Sequence, residues 1–225
     1  HMASMMQRCF RLLLLFSLIP GGTIVHAGEN IALPAPAMTG QVSVEQVIAQ
    51  RRSVRDFVNT TLNLSDISQL LLSAHGITDT RGLLAAPSAG ALYPLELYVV
   101  AGTVDGLAQS VYHYDPQQHQ LIRTSGGDVR AALTQAALSQ AWIQDAAAVI
   151  VFTADYQRTR KKYGNRAERY VHIEVGHAAE NLFLQAVSLG LASVVVGAFD
   201  DDELARVLRL PPELQPLLLM PVGRN

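Results

Sequence analysis

Between Tyr170 and Leu189 the polar side chains Glu174, His177, Asn181 and Ser188 keep helical spacing, and nearly everything else is apolar. Such a run predicts a long helix, ended by Gly190 and buried over most of its circumference, which requires neighbouring layers on several sides. Apolar runs at Leu95–Val100, Ala147–Phe152, Ala192–Val196 and Leu217–Val222 predict strands. Val111–Tyr114 and Leu121–Arg123, joined through Asp115-Pro116, predict a hairpin. A capping box, Ser43-x-x-Gln46, opens a short helix to about Gln50. Ser65 or Asp66 starts a second helix, with Ile67, Leu70, Leu71 and Ala74 on one face and Gly76 as its stop. Asp128 caps a third, through about Leu138, and Asp200-x-x-Glu203 caps a fourth, to Leu208. Helices and strands interleave without a strict βαβ rhythm, so the fold class is α+β with mixed layers.

Two short stretches carry chemistry. Arg51-Arg52-Ser53-Val54-Arg55 sets three guanidiniums and a hydroxyl in five residues, directly after a predicted helix. Guanidinium forks match phosphate oxygens bidentately, and a serine hydroxyl can complete the cradle. A solvated basic helix end is the alternative reading of the same cluster. Ala86-Pro87-Ser88-Ala89-Gly90-Ala91-Leu92-Tyr93-Pro94 is a turn-forming, small-residue run leading into a strand, where backbone can approach a flat ligand. Gly197-Ala198 ends another strand in two minimal side chains, again leaving amides accessible.

Other chemistries are excluded or disfavoured. Ala86-x-Ser88-x-Gly90 lacks the first glycine of a nucleophile elbow, so Ser88 reads as a turn residue. His172 and His177 lie five apart, about 140° around a helix, and cannot share a ligand face with Glu174; they read as core or interface residues. His113 and His119 flank the hairpin turn and read as surface residues, and Trp142 reads as core. No metal site is expected, and no Gly-rich dinucleotide fingerprint occurs.

His1–Ser4 look like a cloning remnant. Arg8 and Arg11, the apolar run Leu12–Ile19 and Val25-His26-Ala27 have the form of a secretory signal with its cleavage site. The run is short for a bilayer span, which takes roughly 20 residues; an uncleaved anchor is the alternative. Residues 1–27 would thus be remnant and signal, 28–42 a flexible lead-in, and 43–225 one domain. Cleavage after Ala27 leaves 198 residues with fifteen Lys and Arg against nineteen Asp and Glu, a net charge of −4. That balance gives no electrostatic case for nucleic acid. Cys9, the only cysteine, would leave with the signal, so neither a disulfide nor a thiolate nucleophile is expected. The expected location is the periplasm or the exterior; a misread N-terminus would return the protein to the cytoplasm.

The ordered set of motifs resembles the nitroreductase-like flavoprotein superfamily, in its SagB/ThcOx-type dehydrogenase branch. Four blocks carry the resemblance across most of residues 43–225: Arg51–Phe57, Ala86–Val100, a block from Lys162-Tyr163-Gly164 through Arg169-Tyr170 and Gly176-His177 to Glu180-Asn181, and Gly190–Arg224. The resemblance implies a nitroreductase-like fold with a central mixed β-sheet flanked by helices, as a homodimer with FMN at the interface. It implies that Arg51, Arg52, Ser53 and Arg55 hold the phosphate and ribityl chain. Pro87, Ser88 and Ala89 would flank the ring from the other subunit, and Gly197 and Ala198 would offer N–H groups to its reactive edge. Arg224 is the one late basic candidate for the phosphate. Ala91 stands where general nitroreductases place a flavin-contacting asparagine. Lys162-Tyr163 matches the pair that branch members use on azoline rings, where a base eases hydride removal; a solvated basic stretch, Arg158–Arg169, is the alternative. The implied activity is two-electron transfer by a ping-pong route on a small-molecule or peptide substrate. A non-catalytic flavin-binding module of the envelope and an azoline dehydrogenase are the competing readings.

Overall fold

The computed structural model describes residues 28–225; the remnant and signal expected over 1–27 lie outside the described residues. Seven strands form one sheet: β1 (Asn30–Ala32), β2 (Leu95–Ala101), β3 (Ser110–Asp115), β4 (Gln120–Gly126), β5 (Ala148–Ala154), β6 (Ala192–Ser193) and β7 (Gln215–Gly223). Their spatial order is β1-β4-β3-β2-β5-β7-β6. Pairs between these strands are antiparallel, and parallel character enters where Ser53 bridges Ser193 beside β6.

Helices cover both faces. α1 (Val44–Gln50), α2 (Leu64–His75), α5 (Tyr156–Tyr163) and α6 (Ala167–Ser188) form one layer; α3 (Arg130–Ala136), α4 (Trp142–Asp145) and α7 (Asp201–Leu208) belong to the other. The alternation of β2 explains the two cores. Leu95, Leu97 and Val99 join the α2–α6 cluster, whereas Tyr98 and Val100 join the cluster with Leu133, Ile143 and Leu204. Sequence patterns fix several ends. Ser43 and Gln46 form the expected reciprocal box on α1, Gly76 follows α2, and Asp200 accepts from the Glu203 amide to start α7. The Trp142 ring is partly buried against the second core, as expected.

Several expectations are corrected. α6 is not buried most of the way round. Val171, Glu174, Val175, Ala178, Leu182 and Phe183 are buried, while His172, Ile173, Gly176, His177 and Glu180 form an exposed strip, with Ile173 50% exposed. The polar residues therefore do not share one stripe: Glu174 faces inward. The two histidines, His172 and His177, are exposed and do not lie in the protomer core. The lead-in is docked. β1 pairs with β4, the Ser68 hydroxyl donates to the Pro34 carbonyl at 2.6 Å, and Gln69 clasps the Ala37 backbone. His119 is not a free surface residue, because it joins Ser68 to Tyr114 at 2.7 and 2.9 Å. His113 pairs with Glu96 at 2.6 Å. The strand expected at Ala192–Val196 is regular only over two residues, with a further bridge from Val196 to Leu219. Among the described residues no helix is long and apolar enough to cross a membrane, and no group of acidic, His or Cys side chains could hold a metal.

Candidate active site

The arginine segment is built onto the sheet edge. Val54 N–H donates to the Ser193 carbonyl at 2.9 Å, and Val58 N–H to the Arg224 carbonyl at 2.9 Å. Residues 53–58 thereby satisfy backbone groups that β6 and β7 would leave open at their rim. Phe57 packs so closely on Gly223 that a Cβ there would stand 2.9 Å from its ring. This anchoring holds Arg51, Ser53 and Arg55 along one edge. Arg51 is half-buried, with its guanidinium 4.8 Å from the Phe183 ring centroid and its Nε 3.8 Å from Glu180. Ser53 and Arg55 are exposed, and the Arg55 guanidinium lies 5.7 Å from the Trp142 ring. Arg52 differs: its Nη1 donates to the Ala49 and Arg51 carbonyls, so it braces the end of α1. Arg224 lies next to Asp66, 3.8 Å away, which offsets part of its charge.

Gly197 and Ala198 follow the same edge. Gly197 stands four residues beyond Ser193, no more than about 15 Å of extended chain. Gly197 is exposed, and a Cβ there would meet nothing within 4 Å, so the protein leaves space above its backbone. The Ala198 carbonyl is held by Gln140 at 2.8 Å.

The second half of the site is the loop before β2. Ser88 precedes a short 3-10 turn, Ala89–Ala91, in which Gly90 has φ 65°. Ala91 and Tyr93 also have positive φ, 51° and 45°, which strains non-glycine residues. Tertiary bonds hold this conformation. Ser88 Oγ accepts from the Tyr93 amide at 3.0 Å, confirming the turn role. The Tyr93 carbonyl accepts from Arg158 Nη1 at 3.0 Å, and the Tyr93 hydroxyl oxygen accepts from the Leu84 amide. Arg158 also bonds Glu96, which is paired with His113. Burial pushes the Glu96 carboxyl up, but His113 and Arg158 overcome it and bring its pKa below the usual value.

Lys162 and Tyr163 stand against this loop. A Cβ on Gly90 would lie 2.8 Å from Tyr163 Oη and 3.0 Å from Lys162 Nζ. Lys162 Nζ is 5.4 Å from the Tyr163 ring centroid, and Tyr163 meets Tyr170 edge-on at 4.9 Å. The basic stretch thus runs from α5, capped by Asp155 and closed by Gly164 at φ 53°, through a short turn into the start of α6. Pro87 is exposed, with Ser88 and Ala89 half-buried. The structure joins Lys162 and Tyr163 to the loop of Pro87, Ser88 and Ala89; Arg51, Ser53, Gly197 and Arg224 gather at the other place, on the sheet edge. No hydrogen bond or ion pair links the two groups within the described residues. A concavity of about 570 Å³ beside the lead-in, lined by Met38, Val44, Gln69 and Gln185, contains none of them.

Glu174 was legible only as a polar position on α6. It is 3% exposed, and burial pushes its pKa up to about 7. Arg158 and Glu96 were likewise not singled out. An acid set between apolar neighbours, Ile173 and Val175, was the available signal for Glu174.

Exposed arginines, a serine and open strand-end amides along one rim fit an anionic, planar ligand, as does the strained loop beside a Lys-Tyr pair. The family model described as Nitroreductase family matches residues 48–224, and the chain belongs to that family. It is 44% identical over 198 residues to MJ1384 of Methanocaldococcus jannaschii, whose name assigns it provisionally to the nitroreductases; the match covers 88% of this chain and 98% of that protein. It is 28% identical over 176 residues to the trifolitoxin-processing protein TfxB of Rhizobium leguminosarum bv. trifolii, covering 68% of this chain and 45% of that one. A crystal structure from Ralstonia eutropha JMP134, also named provisionally as a nitroreductase, superposes with TM-score 0.78 at 28% identity, covering 92% and 95% of the two chains.

Proposed function

We propose that the protein is an FMN-dependent oxidoreductase of the SagB-type dehydrogenase branch, acting as a homodimer and moving two electrons between small organic substrates in alternating half-reactions. The observation that carries this reading is the single sheet rim that bears Arg51, Ser53 and Arg55 at one end and the open Gly197-Ala198 backbone at the other. When bound, FMN supplies the two-electron acceptor and donor. Arg51 and Arg55 would neutralise its phosphate, Ser53 would donate to it, and the Gly197 and Ala198 amides would face the ring edge. Arg52 and Arg224 have a smaller share, since each is already engaged within the chain. Pro87, Ser88 and Ala89 would close over the ring of the partner protomer. A site completed by a second copy is a surface groove in one chain, which accounts for the separate place of the 570 Å³ concavity.

Lys162 and Tyr163 are proposed to take up a proton from the carbon acid or its neighbour as hydride leaves the substrate. Their contact with Gly90 supports the role, because it puts both polar ends beside the ring-flanking loop. The likeness to a trifolitoxin-processing protein favours a second reading, a dehydrogenase acting on a peptide substrate. We also propose that the chain is exported to the periplasm or the exterior, on the signal pattern of residues 8–27. Fractionation of cells expressing the untagged gene checks this.

The decisive experiment is reconstitution with FMN, read by absorbance, melting temperature and mass in solution. A yellow dimer with a raised Tm supports the reading; a colourless protein with unshifted Tm overturns it. Anaerobic photoreduction followed by a nitroaromatic, a quinone or O₂ then separates an enzyme from a mere flavin binder. Reoxidation by an organic acceptor faster than by O₂ supports catalysis.

A further inference from the structure

The turn Gly197–Phe199 begins where pairing with the sheet ends. Val196 is the last paired residue: its N–H donates to the Leu219 carbonyl at 2.8 Å, and its carbonyl accepts the Leu219 N–H at 2.9 Å. The next backbone anchor is Asp200, whose N–H donates to the Ala136 carbonyl at 2.9 Å. Among the described residues the N–H groups of Gly197, Ala198 and Phe199 have no acceptor. A peptide unit is planar and trans, so each N–H points opposite to the carbonyl of the residue before it. The bond from Leu219 to the Val196 carbonyl therefore directs the Gly197 N–H away from β7. The Phe199 N–H is directed in the same way by whatever holds the Ala198 carbonyl, and that is Gln140, at 2.8 Å.

Gln140 is half-buried and belongs to the connection between α3 and α4. Its Nε2 also donates to the Ala137 carbonyl at 2.8 Å, so both amide protons are used. Two carbonyl neighbours leave only one way round for the carboxamide. The connection itself is strained, with Leu138 at φ 57° and Ser139 at φ 60°. The Ser139 N–H donates to the Thr134 carbonyl at 2.9 Å and its hydroxyl to Gln135 Oε1 at 3.2 Å, which holds the bend. The end of α3 thus turns carbonyls that a helix leaves open to one use. Ala136 takes the Asp200 N–H and Ala137 takes Gln140, so both grip the turn.

We propose that Gln140 is a positioning residue: by holding the Ala198 carbonyl it fixes the turn Gly197–Phe199, so that the N–H groups of this turn stand preformed at the rim for the edge of the flavin ring. The proposal rests on the flavin reading for its purpose, whereas the Gln140 bridge from Ala137 to Ala198 exists in the chain alone. With Gln140 in place, one peptide unit between Val196 and Asp200, that of Gly197 and Ala198, has no hydrogen-bonded anchor among the described residues. Without Gln140 there are two in succession, next to a glycine whose torsions are the least restricted of any residue. Donors fixed beforehand need no reorganisation when charge develops opposite them. Phe199 thereby adds a third N–H to the two that the Gly197-Ala198 motif offers.

Gln140→Glu keeps the side-chain length and removes both protons; Gln140→Met keeps the length without polarity. In nitrogen-15 relaxation of the full apoprotein, the amides of Gly197, Ala198 and Phe199 should have order parameters of about 0.85 in wild type and below about 0.6 in both variants. β7 and residues Arg130–Leu133 of α3 should be unchanged. With FMN added, Kd by flavin fluorescence should rise about ten-fold in the variants. The midpoint potential of the bound flavin should fall, because donors at the ring edge favour the reduced ring. Unchanged order parameters in both variants overturn the hold on the turn. Unchanged Kd and potential in a variant whose turn has loosened overturn the positioning role, since a merely structural residue would give that result. If Gln140→Glu does not fold, Gln140→Met decides by the same readings. Wild type that binds no FMN overturns the proposed function, whereas the order parameters still decide whether Gln140 fixes the turn.

Discussion

Gly90 rests against Tyr163 so closely that a methyl group on its α-carbon would lie 2.8 Å from the phenolic oxygen. The contact joins the loop before β2 to the end of α5, elements more than seventy residues apart. Gly90→Ala should therefore separate function from folding. The positive φ costs about 1–2 kcal/mol for a side chain, a modest fall in Tm. Displacement of the Lys162 and Tyr163 tips should lower turnover far more than that fall explains. Steady-state rates beside a thermal melt check it; unchanged turnover would show that the pair has no catalytic geometry to lose.

Arg51→Ala and Arg55→Ala should each weaken FMN binding. A charge-assisted hydrogen bond contributes roughly 1.5–3 kcal/mol, a ten- to hundred-fold change in Kd by fluorescence titration. The apoprotein should barely notice, because the Arg51–Glu180 pair is long and partly solvated and such pairs contribute about 0–1 kcal/mol. Equal affinity in both variants refutes the phosphate assignment.

Stability against pH should reveal two opposed buried groups. Burial pushes His75 down to about 4 and Glu174 up to about 7. Unfolded chain gains a proton on histidine near 6.5, so the His75 contribution is lost as pH falls from 6.5 to 4. Unfolded chain loses a proton on glutamate near 4.5, so the Glu174 contribution is lost as pH rises from 4.5 to 7. Each shift corresponds to about 3 kcal/mol, and the two nearly cancel between 4.5 and 6.5. Glu174→Gln should expose the His75 slope, with stability climbing steeply from pH 4 to 6.5. Urea midpoints across pH 4–8 measure it; a flat profile in the variant would contradict the burial of a neutral His75.

Glu96→Leu should destabilise by about 1.5–3 kcal/mol, the value of a hydrogen bond to a charged group, because Arg158 and His113 both lose their acceptor. Arg158 would then hold Tyr93 less rigidly, so residues 86–94 should exchange faster as well. Denaturant titration and exchange together test the link, and loss of stability without loop loosening would break it.

Much of the scaffold could be read directly from residue pattern. The Ser43–Gln46 box, Gly76, the hairpin and the Asp200 cap each act within a few residues, so local chemistry decides them. α5 escaped because Tyr156–Tyr163 has no apolar stripe; its only local sign is the Asp155 cap. His113 and His119 sit where a hairpin normally meets solvent, but Glu96 from β2 and Ser68 from α2 reach them from distant sequence. α6 misled for a related reason. Alanines and valines on several sides suggested full burial, whereas this chain supplies neighbours for one side only. For the proposed site, the sequence shows which residues the motifs hold but not how each side chain is engaged. Nothing local says that Arg52 would turn onto its own backbone, or that Arg224 would face Asp66.

The docked lead-in and the arginine segment have a joint consequence. At one border the sheet ends in a strand of three residues, and at the other residues 53–58 are laid over a strand of two. Neither border offers a run long enough to template a further strand. The borders of the sheet thereby disfavour ribbon-like growth, and the open apolar surface lies instead on the helical flank, at Ile173 and Gly176.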